Sequence, residues 1–146
     1  MKRYFTVIGL ISFLFALSAG SCKKEKSSEE LLIGRLNLDS EKTTSFENGV
    51  KTDKESITYE PGEKVKEIIK NGTGKYYEDG NLTEIFDWEI VGYLLIVTIV
   101  TPPTGDNPVE AEFTVNENTM TLRMTEEFTF NQIVYKLVFD AILKRA

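Results

Sequence analysis

Turn residues punctuate this chain at short and nearly even intervals. Asn48-Gly49, Pro61-Gly62, Asn71-Gly72, Asp79-Gly80-Asn81, Pro102-Pro103 with Gly105, and Asn116-Glu117-Asn118 recur down its length. Between them lie short runs rich in Val, Ile, Thr, Tyr and Phe. Such spacing leaves no room for long helices. It predicts an all-β, antiparallel domain.

Period two then assigns faces, because successive side chains of a strand point to opposite sides. Leu32, Gly34, Leu36 and Leu38 alternate with Arg35, Asn37 and Asp39. Phe86, Trp88 and Ile90 alternate with Asp87 and Glu89. The same pattern sets Ala111, Phe113 and Val115 against Glu112 and Thr114, and Met120, Leu122 and Met124 against Thr121, Arg123 and Thr125. In the last run, Tyr135, Leu137, Phe139 and Ala141 alternate with Lys136, Val138 and Asp140. One apolar and one polar face per strand means a single enclosed interior. Tyr93 to Val100, "YLLIVTIV", is apolar on both faces and predicts a central strand covered outside, or an interface. "GEKVKEIIKNG" admits a short helix, but its flanking turns favour a strand.

Eight strands are expected, over about 32–39, 63–70, 73–79, 82–91, 93–101, 109–116, 119–126 and 133–144. Short turns join sequence neighbours, so the expected topology is an up-and-down meander. Eight such strands close into a small barrel and remove its exposed edges. Residues 40–62 are the long exception, read as a flap or a short extra strand at "SITYE".

The N-terminus carries an address. Met1-Lys2-Arg3 is basic, Val7 to Ala19 is almost wholly apolar, and Ser18-Ala19-Gly20-Ser21 leads into Cys22, the only cysteine. That is a secretory signal pattern, and the apolar run is short of the ~20 residues that span a bilayer. Small residues ending in cysteine resemble a bacterial lipobox. Residues 1–21 are therefore expected to be removed and Cys22 acylated; an ordinary cut that leaves a free thiol is the blander reading. Two or three acyl chains hold a protein stably where one does not. Residues 22–30 follow as acylated cysteine and polar tether. "KKEKSSEE" also resembles surface-export signals of some Bacteroidetes-type lipoproteins.

Removing the signal takes Lys2 and Arg3, so 15 of 17 basic side chains face 23 acidic ones, a net of −8. An acidic domain repels phosphate backbones, which argues against nucleic-acid partners. A single cysteine allows no disulfide within the chain, so stability must come from packing. There is no histidine, which removes Ser-His-Asp and Cys-His catalysis and histidine-ligated metals. Asp87 and Glu89 could pair as acid and base, but alternation places them outside and solvated. The expectation is a non-enzymatic chain without cofactor or metal.

"LLIGRLNL", "NGTGKYYEDG", "FDWEIVGYLLIV", "EFTVNENTMTLRM" and "YKLVFDAILKR" resemble the lipocalin-like lipoproteins of Bacteroidetes-type bacteria, over residues 31–146. Where that family usually begins Gly, any residue, Trp, this chain has Gly34-Arg35-Leu36; Trp88 matches a later aromatic strand position. The resemblance implies a lipid-anchored envelope protein, outer-membrane and periplasmic or surface-exposed, with a lipocalin-like β-barrel. It names no ligand.

Candidate ligand-lining residues are Leu36, Phe86, Trp88, Phe113, Leu122, Met124, Tyr135, Leu137 and Phe139. The interior is expected to be apolar, with hydroxyls from Tyr76 or Tyr77, Tyr93 and Tyr135, and with Arg35 and Arg123 outside. Its content of Phe, Met and Leu predicts a barrel mostly filled by its own side chains, in a protein with a structural or interaction role and an envelope partner. The other reading is a carrier module whose barrel holds a small hydrophobic ligand.

Overall fold

The computed structural model describes residues 25–146, so the expected signal peptide and Cys22 lie outside the described residues. A short helix, α1 (Ser28–Leu32), precedes nine strands: β1 (Gly34–Glu47), β2 (Val50–Thr58), β3 (Lys64–Ile69), β4 (Thr73–Glu78), β5 (Asn81–Val91), β6 (Leu94–Thr101), β7 (Val109–Val115), β8 (Thr119–Phe130) and β9 (Ile133–Arg145). All pair antiparallel in the order β2-β1-β3-β4-β5-β6-β7-β8-β9, and β1–β9 pairing closes an eight-stranded barrel that leaves β2 as the extra strand. The all-β meander barrel read from the turns is the observed fold. "GEKVKEII" supplies β3, a strand.

Two elements differ from expectation. The stretch read as a plain tether already contains α1. Ser27 Oγ accepts from the Glu30 amide, and the Glu30 carboxylate accepts from the Ser27 amide. This reciprocal capping box satisfies two orphan amides and starts a helix, which carries Leu32 into the core with 0% exposure.

The second difference is the stretch 40–62. It is a long hairpin: β1 runs on to Glu47 and returns as β2 through Asn48-Gly49. Both turn residues have positive φ, 48° and 81°, which suits Asn-Gly and matches the twist of a two-residue hairpin. At Asp39 a bulge interrupts the β1–β9 register. Below it β1 pairs β3 from Gly34 to Asn37; above it β1 pairs β2 from Ser40 to Glu47. β8 and β9 are long too, 12 and 13 residues, and pair up to Phe130–Ile133. The four strands β2-β1-β9-β8 thus project beyond the barrel as a four-stranded extension.

The core sits in the closed part. Leu36, Leu38, Ile68, Phe86, Trp88, Leu95, Met120 and Leu143 form one cluster with Leu32. Trp88 lies inside, and its indole N–H donates to the Ile69 and Thr73 carbonyls at 3.1 and 2.9 Å, the partner a buried indole requires. Gly74 is needed beside it, because a Cβ there would run into the Phe86 ring.

β6 is not covered as its double-sided apolar pattern suggested. Leu95 is buried, but Leu94 and Ile96 on the outer face remain half-buried and Val100 is exposed.

Candidate functional site

A cavity of about 220 Å³ lies inside the barrel above the packed core. Apolar side chains from β3 and from β5 to β9 line it, among them Ile68, Phe86, Leu95, Val97, Ile99, Ala111, Met120, Leu122, Met124 and Leu143. Three polar side chains join them: Lys66, Tyr76 and Glu84. Register explains why. Lys66 pairs with Leu36 on one side and Tyr76 on the other, and Tyr76 pairs with Glu84. Directly paired residues share a face, so all three point the way of Leu36, which is inside.

Lys66 is the unusual member. It keeps some accessible surface, and that surface fronts the cavity. Its ammonium sits 5.5 Å from the Tyr76 ring centroid. Burial pushes its pKa below the usual lysine value against the opposing pull of Glu84 and Glu41, and the Lys64 charge lowers it further. A lysine held this way is a weakened cation facing an apolar space.

The rim above the cavity is polar and internally matched. Tyr59 Oη donates to Glu41 at 2.6 Å, and this bond raises the phenol's pKa. Lys64 reaches Tyr59 Oη at 3.4 Å and Glu78 at 3.7 Å, and its ammonium lies 4.5 Å from the Tyr59 ring centroid. Tyr76 Oη donates to Glu78 at 2.9 Å. Burial first, and that bond second, push the Tyr76 pKa up. Lys64 is therefore partnered where Lys66 is not.

The candidate lining residues separate into three places. Phe86, Leu122 and Met124 line the cavity. Leu36 and Trp88 are buried in the packed cluster beneath, with Phe113 partly buried against it. Tyr135, Leu137 and Phe139 share the inner face but sit on the extension, beyond the barrel's closed part. Tyr135 stacks on Phe128 there at 5.2 Å between centroids.

Tyr93, expected as an interior hydroxyl, is 70% exposed at the β5–β6 turn. Of the Tyr76–Tyr77 pair, Tyr76 faces in and Tyr77 bonds Glu67 outside. Lys66 and Glu84 were missed, since a lysine between Val65 and Glu67 carries no sign of an inward position. Asp87 and Glu89 are exposed on the outer wall, as alternation placed them, as are Arg35 and Arg123.

Among the described residues no cluster of His, Cys, Asp and Glu could hold a metal ion, and no helix is long and apolar enough to cross a membrane. No family model, curated protein or solved structure matches this chain.

Proposed function

We propose that this chain is a binding module for a small hydrophobic molecule carrying one polar group, held in the barrel beneath Lys66 and Tyr76 and fixed to the bacterial cell envelope through Cys22. The observation that carries this reading is the cavity of about 220 Å³. Native interiors have few voids larger than a water, and an apolar cavity of ~150 Å³ is already enough to hold benzene. The space is smaller than the ~300–1,000 Å³ of sites for drug-sized ligands. It suits a short chain or a single ring. The apolar walls favour the body of such a molecule, and Lys66 offers its one polar group a donor that nothing else occupies.

The envelope address rests on the N-terminal pattern and on the resemblance to lipocalin-like lipoproteins. Acylation of Cys22 would leave only five residues between the anchor and α1, so the barrel would stand close to the outer membrane. Replacement by Cys22→Ala should abolish labelling by radioactive palmitate and move the protein to the soluble fraction; unchanged labelling would refute the anchor.

The cavity reading is tested by titrating the soluble Cys22→Ala protein with 1-hexanol and hexanoate in a calorimeter. Saturable one-to-one heat is expected with the alcohol, and it should vanish in Ala111→Leu, where a larger side chain fills the space. No saturable heat with either probe would overturn the reading and leave a barrel filled by its own side chains, with a structural or interaction role.

A further inference from the structure

The four-stranded extension has two faces of opposite charge. Glu41, Glu47, Asp53, Glu55 and Glu126 share the inner face by register, and no basic side chain of these four strands shares it; Lys64 of β3 reaches only its lower edge, through Tyr59 beside Glu41. Lys42, Lys51, Lys54, Arg123 and Lys136 all lie on the outer face. There Asp140 is engaged by Lys42 at 3.4 Å and by Arg123 at 2.6 Å, and Glu127 stands opposite Lys136. Beside the acids of β1 and β2, along β9 and β8, runs an apolar strip of Met124, Phe139, Leu137, Tyr135 and Phe128, interrupted by Glu126 opposite Leu137.

That strip is only partly covered: Met124, Phe139, Leu137 and Tyr135 are half-buried. Phe128 is 51% exposed and Ile57, on the same face, 54%. A groove of about 270 Å³ opens on it between Glu41, Glu55, Ile57, Met124 and Phe139. A sheet's apolar face is stable when a second layer packs on it.

We infer that the inner face of the extension docks a basic amphipathic helix of a partner protein. Charge complementarity selects the occupant: apolar side chains would meet the strip, and lysines or arginines the acids of β1 and β2 beside it and Glu126 within it. An anionic lipid surface would be repelled. A second copy laid face to face would bring these acids against their own kind. A second copy stacked on the outer face would meet lysines and an arginine of which three already stand against Asp140 and Glu127.

The dimensions agree. Four strands ~4.8 Å apart span about 14 Å, and a helix with its side chains is ~10–12 Å across. From Glu41 to Glu47 the face runs roughly 20 Å at ~3.4 Å per residue, which matches about 13 helical residues at 1.5 Å each. The groove between Glu55 and Phe139 would take one apolar anchor of that helix.

The test uses a 14-residue Leu–Lys amphipathic peptide, its Leu–Glu counterpart, and two double variants with the same change in net charge in the soluble Cys22→Ala chain. Asp53→Lys/Glu55→Lys reverses the inner face of the extension. Asp87→Lys/Glu89→Lys reverses the outer wall of the barrel. All four positions are exposed, and circular dichroism with a melting curve checks the fold of each variant. The expected result is one-to-one binding of the Leu–Lys peptide, weakened at least ten-fold by the first pair and unchanged by the second. Equal weakening by both pairs would mean attraction to net charge alone and would overturn the proposal. Equal binding of the Leu–Glu peptide would do the same, as would self-association of the free chain that the first pair abolishes. Hexanol titration of these variants reports on the barrel cavity separately, so failure of one site is distinguishable from failure of the other.

Discussion

The closed barrel and the extension are built from the same strands, and they obey the same alternation. β9 passes through both. Leu143 at one end is completely buried, while Leu137, three pairs further along the same face, is only half covered. On β8, Met120 is 1% exposed and Phe128 51%. What changes between the ends is the opposite wall. Around Leu143 the sheet closes, and Leu36, Leu38, Ile68 and Leu95 join it in one buried cluster. Above Asp39 the partner of β1 switches from β3 to β2, and the wall opens. Alternation alone therefore marks which face is inner; closure decides whether that face becomes core.

Truncation at matched positions gives the largest contrast. Leu143→Ala should cost ~2–5 kcal/mol, as removal of a buried leucine does when its site cannot collapse. Leu137→Ala, half covered and facing no opposite wall, should cost under ~1 kcal/mol. Urea unfolding of the two variants makes the comparison, and equal losses would mean that the extension is packed as tightly as the barrel.

Lys66 marks the boundary between the two regions, and its effect depends on pH. Its folded pKa is lowered by burial, so the folded state holds the proton less tightly than the unfolded chain. The destabilising contribution is full below the folded pKa and disappears as pH rises toward the unfolded value of ~10.4, because the unfolded state binds more protons across that window. Lys66→Met should therefore be more stable than the parent at pH 7, with the gap narrowing as pH is raised. Taking the difference between the two proteins removes the opposing titrations of Tyr59 and Tyr76, whose raised values act in both. A gap that is constant with pH would place the Lys66 amine in bulk water.

The smallest effect belongs to the tip of the extension. Asn131 and Gln132 both adopt positive φ, 50° and 65°. A left-handed conformation costs a side chain such as glutamine ~1–2 kcal/mol, from which glycine is exempt. After the entropy that glycine adds to the unfolded chain, Gln132→Gly should raise stability by up to ~1 kcal/mol. A loss would show that Gln132 makes contacts the tip depends on.

These positions also show what could be read from the residues. The barrel strands were legible because Phe86-Asp87-Trp88-Glu89-Ile90 and its counterparts alternate cleanly between Gly- and Asn-rich turns. β2 was legible only at its end, as the short strand at "SITYE", because most of "VKTDKESIT" is polar on both faces. As an edge strand exposed throughout, it needs no apolar side. The β8–β9 turn was hidden because Asn131-Gln132 lacks the glycine that usually marks it. The helix start was visible as Ser27 with Glu30 three residues on, but it was absorbed into a run of charges that reads as a tether. For the site, the apolar lining at Phe86, Leu122 and Met124 followed from alternation. The position of Lys66 depends on its register with Leu36 and Tyr76, which no local pattern reveals.

The barrel cavity is the point on which the functional account turns, and xenon reports it most directly. Crystals of the Cys22→Ala protein under xenon pressure should show an ordered xenon atom between Phe86, Leu95, Val97 and Met120, absent from Ala111→Leu crystals treated alike. An apolar cavity of ~150 Å³ binds xenon, and the end of this one between Phe86 and Met120 is apolar. An interior with no xenon site, in which those side chains meet at van der Waals distance, would contradict the account and leave the barrel closed to any ligand.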